Sequence, residues 1–324
     1  MPTSADLSES FKRLQIWNRG GERAPHKPLL LLSMLARVQR GEDRLVLYEE
    51  LHPKLANLLT DFGPSRPRHH PEYPFWRLLN DAGSFWDVPE QKEAEEAIAD
   101  RPRQEDIPPA ILKELEVRGG FTEDVQQLLR DAPELVDRLG LELLQDHFAP
   151  SLHESILHAV GMTLDAAVSV RQMATSTSSR SPHFREELMR LYESKCAVCR
   201  FDGQLGNVNL ALDAAHIRWH AQEGPEDSTN GLLLCSLHHR ALDRGAIGIT
   251  EDRKIMVSQH ARGGPRFEDF FMRFWNESLL EPLDSNCRPE SAHIEWHTKQ
   301  VFREPNREFR LVDESKDSTS AMTM

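Results

Sequence analysis

The pattern of apolar and polar positions divides the chain into a first half that favours helices and a second half with an alternating strand pair. Residues 28–39 carry apolar side chains on nearly every side and begin at Pro28, which predicts a buried helix. Further helices are predicted for 8–18 and 48–61, and a strand-like segment for 44–48. Residues 63–74 hold four prolines, so a loop with a restricted backbone is predicted there.

Farther along the chain the pattern changes from helical to alternating. A short strand is predicted at 85–88, and several helices separated by Gly and Pro at 107–161. Positions 213–217 and 230–234 alternate, which predicts a hairpin with a long loop, and 235–243 are predicted to start a helix. The fold class expected from these elements is α+β.

Composition suggests where one domain ends and the next begins. The segment 171–182 is polar and rich in Ser and Thr without periodicity, which favours an interdomain linker. The chain has 324 residues, which is long enough for two separate cores. The expected domains are 1–168 and 183–312, joined by a linker at 169–182 and followed by a disordered tail at 313–324.

The net charge of −13 argues at first against a nucleic-acid partner, but the charge is unevenly distributed. Residues 11–77 contain 12 Lys and Arg against 7 Asp and Glu, whereas residues 85–160 contain 7 against 18. The N-terminal excess is either an ordinary solvated face or a basic surface for a partner. The chain has no secretory signal pattern and no apolar run long enough to span a membrane, so a cytoplasmic location is expected.

Two short-spaced pairs of soft ligands predict a zinc site. Cys196 and Cys199 form the first pair, and Cys235 and His238 form the second. A single Cys-x-x-Cys is also compatible with a redox pair or two buried thiols, but the second pair favours zinc. The zinc would be structural, because all four ligands come from the protein. Cys287 is the alternative fourth ligand, although His238 lies only one helical turn from Cys235.

Between and just after these pairs lie His216, Asn230 and His239, and this order resembles the HNH endonuclease family over residues 184–258. The resemblance implies a zinc-stabilised ββα-metal nuclease domain that uses Mg²⁺ or Mn²⁺ to cut DNA. It also implies that His216 is the general base, that His239 holds the cation, and that Asn230 positions the loop or completes the metal shell.

One position departs from the pattern of that family, in which a metal-binding Asp or His directly precedes the base. This chain has Ala215 there. Asp213 lies on the same face of the predicted strand, and Asp243 lies one helical turn after His239. Both carboxylates are therefore candidate ligands of the catalytic cation.

The N-terminal half resembles the sulfur-binding domain of McrA-type, phosphorothioation-dependent restriction endonucleases. The resemblance rests on residues 25–32 (PHKPLLLL), 71–78 (PEYPFWRL) and 83–86 (GSFW). It implies that Tyr73 and Pro74 form the wall of a small apolar pocket for the backbone sulfur, with His26 and Lys27 beside it. Arg66 and Arg68, on the proline-rich loop, are candidate phosphate contacts.

The chain is therefore expected to be a two-domain endonuclease of the modification-dependent restriction type, with a mainly helical N-terminal DNA-recognition domain and a C-terminal nuclease domain. Its expected partner is double-stranded DNA carrying phosphorothioate, with structural Zn²⁺ and catalytic Mg²⁺ or Mn²⁺ as cofactors. Two alternatives remain: an HNH restriction enzyme that recognises methylated bases, and a catalytically inactive zinc protein that only binds DNA. The oligomeric state is open, with a homodimer among the options.

Overall fold

The computed structural model describes residues 2–16, 22–99, 106–165 and 182–308, and its first half is built mainly from helices. This N-terminal unit, residues 2–165, contains a small sheet whose strands are β1 (Leu45–Leu47), β2 (Trp86–Asp87) and β3 (Arg118–Phe121). Its helices are α1 (Ser4–Lys12), α2 (His26–Gln39), α3 (Tyr48–Phe62), α4 (Glu72–Arg77), α5 (Gln91–Glu96), α6 (Pro109–Glu114), α7 (Glu123–Asp131), α8 (Pro133–His147) and α9 (His153–Val160).

Helix α2 lies at the centre of the N-terminal unit. Residues 29–32 are four consecutive leucines with no exposed surface, and α2 contacts α3, α4, α7, α8 and α9. A helix that is apolar on all sides is stable only when other elements surround it, so the continuous leucine run accounts for its central place. The predicted buried helix at 28–39 is thereby confirmed, and it begins two residues earlier, at His26.

The small sheet follows from two glycines in its middle strand. β3 pairs antiparallel with β1 on one side and with β2 on the other. A Cβ atom on Gly119 would lie 2.7 Å from the Phe75 ring, and one on Gly120 would lie 2.0 Å from the Arg44 carbonyl oxygen. Only glycine therefore permits this close approach. Only helices were predicted for residues 107–161, and that prediction was wrong at β3.

The C-terminal unit, residues 182–308, contains the predicted hairpin followed by a helix. Strands β6 (Leu212–His216) and β7 (Gly231–Cys235) pair antiparallel from Leu212 opposite Cys235 to His216 opposite Gly231, and helix α11 (Ser236–Asp243) follows β7 directly. The strands are β4 (Gln204–Leu205), β5 (Val208–Asn209), β6 (Leu212–His216), β7 (Gly231–Cys235), β8 (Ile247–Ile249) and β9 (Ile255–Val257). The helices are α10 (Pro182–Leu191), α11 (Ser236–Asp243), α12 (Pro265–Phe270) and α13 (Ser291–Gln300).

The two units share an interface with a buried arginine at its centre. The Arg23 guanidinium donates hydrogen bonds to the carbonyl oxygens of Gln300 and Phe62, at 2.8 and 2.7 Å. It also lies 4.0 Å from the centre of the Trp219 ring. Burial lowers the pKa of Arg23 to about 9. Trp219, together with Trp296 of α13, extends the N-terminal core into the C-terminal unit.

Two further predictions can be compared with the structure. The predicted loop at 63–74 ends earlier than expected, because α4 begins at Glu72 and places Tyr73 and Pro74 on a helix. The predicted linker lies outside the described residues except for Pro182, which begins α10, and the predicted tail at 313–324 also lies outside them. Among the described residues, no helix is long and apolar enough to cross a membrane.

Candidate functional site

Four metal-ligand side chains converge where the β6–β7 hairpin meets α11. Cys196 and Cys199 lie on the turn after α10, Cys235 ends β7, and His238 lies in the first turn of α11. Their ligand atoms all lie within 4.8 Å of one another. The Sγ atoms of Cys199 and Cys235 are 3.9 Å apart. Two sulfurs bound tetrahedrally to one zinc ion would lie about 3.8 Å apart, so the arrangement is compatible with zinc.

The hydrogen bonds around this cluster also suit a metal. The Nε2 atom of His238 lies 2.9 Å from the Phe270 carbonyl oxygen and donates to it, which directs Nδ1 towards the sulfurs. The Nδ1 atom of His238 lies 3.1 Å from the Sγ atom of Cys235 and 3.7 Å from the Sγ atom of Cys196. The thiolate is the form of cysteine that binds metal. The fourth member of the cluster is His238, and Cys287 lies outside it.

A second group of polar side chains lies on β6 and α11. The Nδ1 atom of His239 is 3.4 Å from Oδ2 of Asp213, and its Nε2 atom is 3.3 Å from Oδ2 of Asp243. The hydrogen bond with His239 is the largest cause that lowers the pKa of Asp213. Burial raises the pKa of Asp243, whose side chain is only 3% exposed. Asp213, with 44% of its side chain exposed, is the more accessible of the two carboxylates.

His216 lies at the end of β6, three residues after Asp213. Its ring stacks on Phe184 of α10, with the ring centres 4.5 Å apart and the planes at 18°. The residue as a whole is partly exposed, whereas the Nε2 atom of its ring is buried. An imidazole held in one orientation is a suitable proton acceptor near neutral pH. Ala215, where many HNH proteins have a ligand, is fully buried and has no ligand atom.

Asn230 is fully buried and joins the two ends of the long hairpin loop. Its Nδ2 atom donates to the carbonyl oxygens of Arg218 and Pro225, both at 2.9 Å. Its Oδ1 atom accepts from the Arg218 amide at 2.8 Å. Since both amide hydrogens are already used, the geometry favours a role in positioning the loop over a place in a metal shell.

In the N-terminal unit, a cavity of about 700 Å³ opens beside α2 and α4. Its lining includes all six side chains that the sequence predicts for the DNA and sulfur contact, which are His26, Lys27, Arg66, Arg68, Tyr73 and Pro74. The ring of Tyr73 contacts one aromatic group and one cationic group. The His70 ring stacks on it at 4.5 Å, and the Arg77 guanidinium lies 4.3 Å from its centre.

Two of these predicted contact residues have constraints that the sequence did not reveal. The Nζ atom of Lys27 donates to Oδ2 of Asp81 at 2.6 Å and to the Gln15 carbonyl oxygen at 2.9 Å, so its charge is paired within the protein. Burial, followed by the nearby Arg66, lowers the pKa of His26 to about 4, and its ring is therefore neutral near pH 7. Arg66 and Arg68 are exposed, and Arg66 forms a salt bridge with Glu22 at 3.0 Å.

Sequence reasoning missed several residues of the cavity wall, among them Arg77, Lys299 and Gln300. Arg77 follows Tyr73 by four positions, and helical spacing could have revealed it if α4 had been expected. Lys299 and Gln300 come from α13 of the C-terminal unit, and no signal in the sequence linked them to this surface. The cavity wall is thus built by both units.

Comparison with known protein families addresses both units. A family model described as ScoMcrA-like, DNA sulfur-binding domain matches residues 4–165, which is half of the chain. The chain belongs to this ScoMcrA-like family. A second family model, HNH endonuclease, matches residues 196–250, which contain the cluster of three cysteines and His238 and the hairpin. Both predicted resemblances are thereby confirmed.

Solved structures similar to the chain match about half of its length. The sulfur-binding domain of ScoMcrA complexed with phosphorothioated DNA is 21% identical, with a TM-score of 0.40, and the match covers 48% of this chain and 97% of that one. The corresponding SprMcrA complex is 20% identical, with a TM-score of 0.39, over 50% and 95% of the two chains.

The type IV phosphorothioation-dependent restriction endonuclease ScoMcrA is 22% identical, with a TM-score of 0.39. That match covers 48% of this chain and only 33% of the much longer enzyme. A search of curated proteins found no match.

Proposed function

We propose that this protein is a modification-dependent restriction endonuclease that binds phosphorothioated double-stranded DNA and hydrolyses nearby phosphodiester bonds. The main observation that supports the proposal is that one chain joins a ScoMcrA-like sulfur-binding domain to an HNH domain. The N-terminal cavity would read the modification, and the group around His216, Asp213 and His239 would perform the hydrolysis.

The chemistry of sulfur explains how an apolar wall could recognise it. Sulfur in place of a phosphate oxygen is larger and more weakly hydrated, and it tolerates contact with the rings of Tyr73 and Pro74. An oxygen at the same place would lose hydrogen bonds to water and gain none from the protein. Recognition would then come from the penalty on ordinary phosphate, while Arg66 and Arg68 would bind neighbouring phosphates of either kind of DNA.

In the proposed hydrolysis, each side chain of the candidate site in the HNH domain would have a role. His216 would take the proton from the attacking water, whose oxygen forms a bond to phosphorus as the bond to the leaving sugar oxygen breaks. Phe184 would hold the imidazole in place, and Asn230 would fix the loop that follows it. A divalent cation, when bound by Asp213 and His239, would stabilise the charge on the phosphate and the leaving oxygen. The Cys196, Cys199, Cys235 and His238 cluster would bind the structural zinc.

Cleavage assays with three duplexes of identical sequence test this proposal. The full-length protein, with Mg²⁺ or Mn²⁺ present, is expected to cut the duplex that carries one phosphorothioate and to leave the unmodified duplex largely intact. The third duplex carries methylated cytosine instead. Preferential cutting of the methylated duplex would support the base-reading alternative, and absence of cutting together with retained binding would support an inactive DNA-binding protein.

Tyr73→Ala is expected to reduce the preference for phosphorothioate without abolishing DNA binding. An unsatisfied buried polar group costs about 1–3 kcal/mol, so the wild-type protein should prefer the modified duplex by about tenfold to a hundredfold. Removing the ring should bring this ratio close to one, as measured by binding titrations of both duplexes at matched salt.

Two control variants separate the effect of the Tyr73 ring from a general loss of affinity. Tyr73→Phe keeps the aromatic wall and should keep the preference. Arg68→Ala should weaken binding to both duplexes equally and reduce the salt dependence, because it removes a phosphate contact. A preference that survives in Tyr73→Ala would contradict the assignment of the sulfur wall.

A further inference from the structure

His239 is held between two carboxylates of very different exposure. Its Nδ1 atom faces Asp213, which is 44% exposed, and its Nε2 atom faces Asp243, which is 3% exposed. A hydrated cation and a DNA phosphate can approach only the accessible side of this arrangement. The open side of the His239 ring is therefore the side of Nδ1 and Asp213.

The buried carboxylate is in turn held by the other unit of the protein. The hydroxyl of Ser151, which lies between α8 and α9, donates a hydrogen bond to Oδ2 of Asp243. That same oxygen faces Nε2 of His239. These contacts connect the sulfur-binding domain to the HNH domain through four side chains, in the order Ser151, Asp243, His239 and Asp213.

We propose that Asp243 is a positioning residue that fixes the tautomer of His239, and that Ser151 of the sulfur-binding domain holds Asp243 in place. The inference rests on the proposed function of the site, since it concerns the same catalytic cation. Asp243 accepts the Nε2 hydrogen of His239, so the lone pair of Nδ1 is directed towards the cation that Asp213 and His239 would share. A ligating histidine commonly donates its other ring hydrogen to a carboxylate in this way.

The position of Asp243 argues against its serving as a direct ligand. Its side chain is enclosed by the interface that also contains the buried Arg23, and Oδ2 is already engaged on two sides. A cation bound directly by Oδ2 would have to compete with both of these contacts. A positioning role uses both contacts as they stand.

Asp243→Asn tests the proposal because asparagine keeps the shape but presents an amide donor to Nε2. The tautomer of His239 should then change to the Nδ1–H form, as in other sites where an orienting carboxylate is amidated. Nitrogen-15 NMR of the imidazole rings in the zinc-loaded, magnesium-free protein should show this change. Mn²⁺ affinity, measured by calorimetry, should fall by about 10- to 100-fold. Asp252→Asn, on an exposed turn, is the matched control and should change neither measurement.

Ser151→Ala tests the contribution of the sulfur-binding domain. It should weaken Mn²⁺ binding in the same direction but by less than Asp243→Asn, because the carboxylate loses its support and keeps its charge. Ser155→Ala is the matched control, since Ser155 contacts Arg244 across the same interface and does not touch Asp243. If Asp243→Asn fails to fold, as shown by lost zinc or a lowered melting temperature, the comparison of these two serine variants decides.

The outcomes that overturn the proposal are distinct from failure of the proposed function. Weakened Mn²⁺ binding with an unchanged His239 tautomer would make Asp243 a direct ligand, and unchanged Mn²⁺ binding would remove it from the site. Equal effects of the two serine variants on Mn²⁺ binding would mean that Ser151 does not hold Asp243 in place. All these measurements are made without DNA, so they keep their meaning even if the protein cuts no phosphorothioated duplex.

Discussion

His216→Ala is expected to abolish cleavage while binding of phosphorothioated DNA remains nearly unchanged. Loss of a general base typically lowers the rate by about 10²–10⁴-fold. The ring lies on the β6–β7 hairpin, whereas the cavity with Tyr73 lies beside α2 and α4. The proposed chemistry and the proposed recognition would therefore use different side chains. Single-turnover cleavage and equilibrium binding on the same modified duplex measure the two effects separately.

The control for this variant is His220→Ala. His220 is an exposed histidine whose ring centre lies 6.1 Å from that of His216. It should keep cleavage close to the wild-type rate, because the HNH resemblance assigns it no role. If His216→Ala cuts the modified duplex about as fast as the wild type, His216 is not the base.

Loss of the metal cluster is expected to have the largest effect on stability. The wild-type protein should contain one tightly bound zinc ion, and Cys196→Ser should contain none. Structural zinc contributes about 10–16 kcal/mol in small zinc domains, which is comparable with the entire stability of a typical domain, about 5–15 kcal/mol. The C-terminal unit should therefore lose its folded structure in Cys196→Ser, as seen by elemental analysis and thermal unfolding.

Cys287→Ser is the matched control, since it makes the same chemical change outside the cluster. It should retain one zinc ion per chain and unfold at nearly the wild-type temperature. Retention of zinc by Cys196→Ser, or loss of zinc from Cys287→Ser, would contradict the ligand assignment.

The parts of the site that could be predicted from the sequence depend on short spacings. One turn of backbone brings together the two cysteines of the Cys-x-x-Cys pair, and another brings together Cys235 and His238. The contact within each pair could therefore be predicted without knowledge of the fold. The i, i+4 spacing of His239 and Asp243 on a helix is equally local. The relation between Asp213 and His239 followed from a hairpin that leads directly into a helix.

The remaining contacts depend on how distant segments pack, and no local pattern encodes them. Lys27 looked like a cation available to DNA, and only the tertiary structure places Asp81 against it. Ser151 and Asp243 meet because the two units dock. Gly119 and Gly120 suggested a break between helices, whereas the close approach of Phe75 and Arg44 makes them the middle of a strand.

The buried Arg23 at the interface has a consequence for where the DNA would be cut. Because Arg23 bonds Gln300 and stacks on Trp219, the units that carry the proposed reading cavity and the proposed hydrolytic site are docked against each other. Successive base pairs rise about 3.4 Å along the duplex, so a set spacing between the two sites on the protein corresponds to a set number of base pairs. The number of base pairs between the phosphorothioate and the cleaved bond would then be set by how the two domains dock.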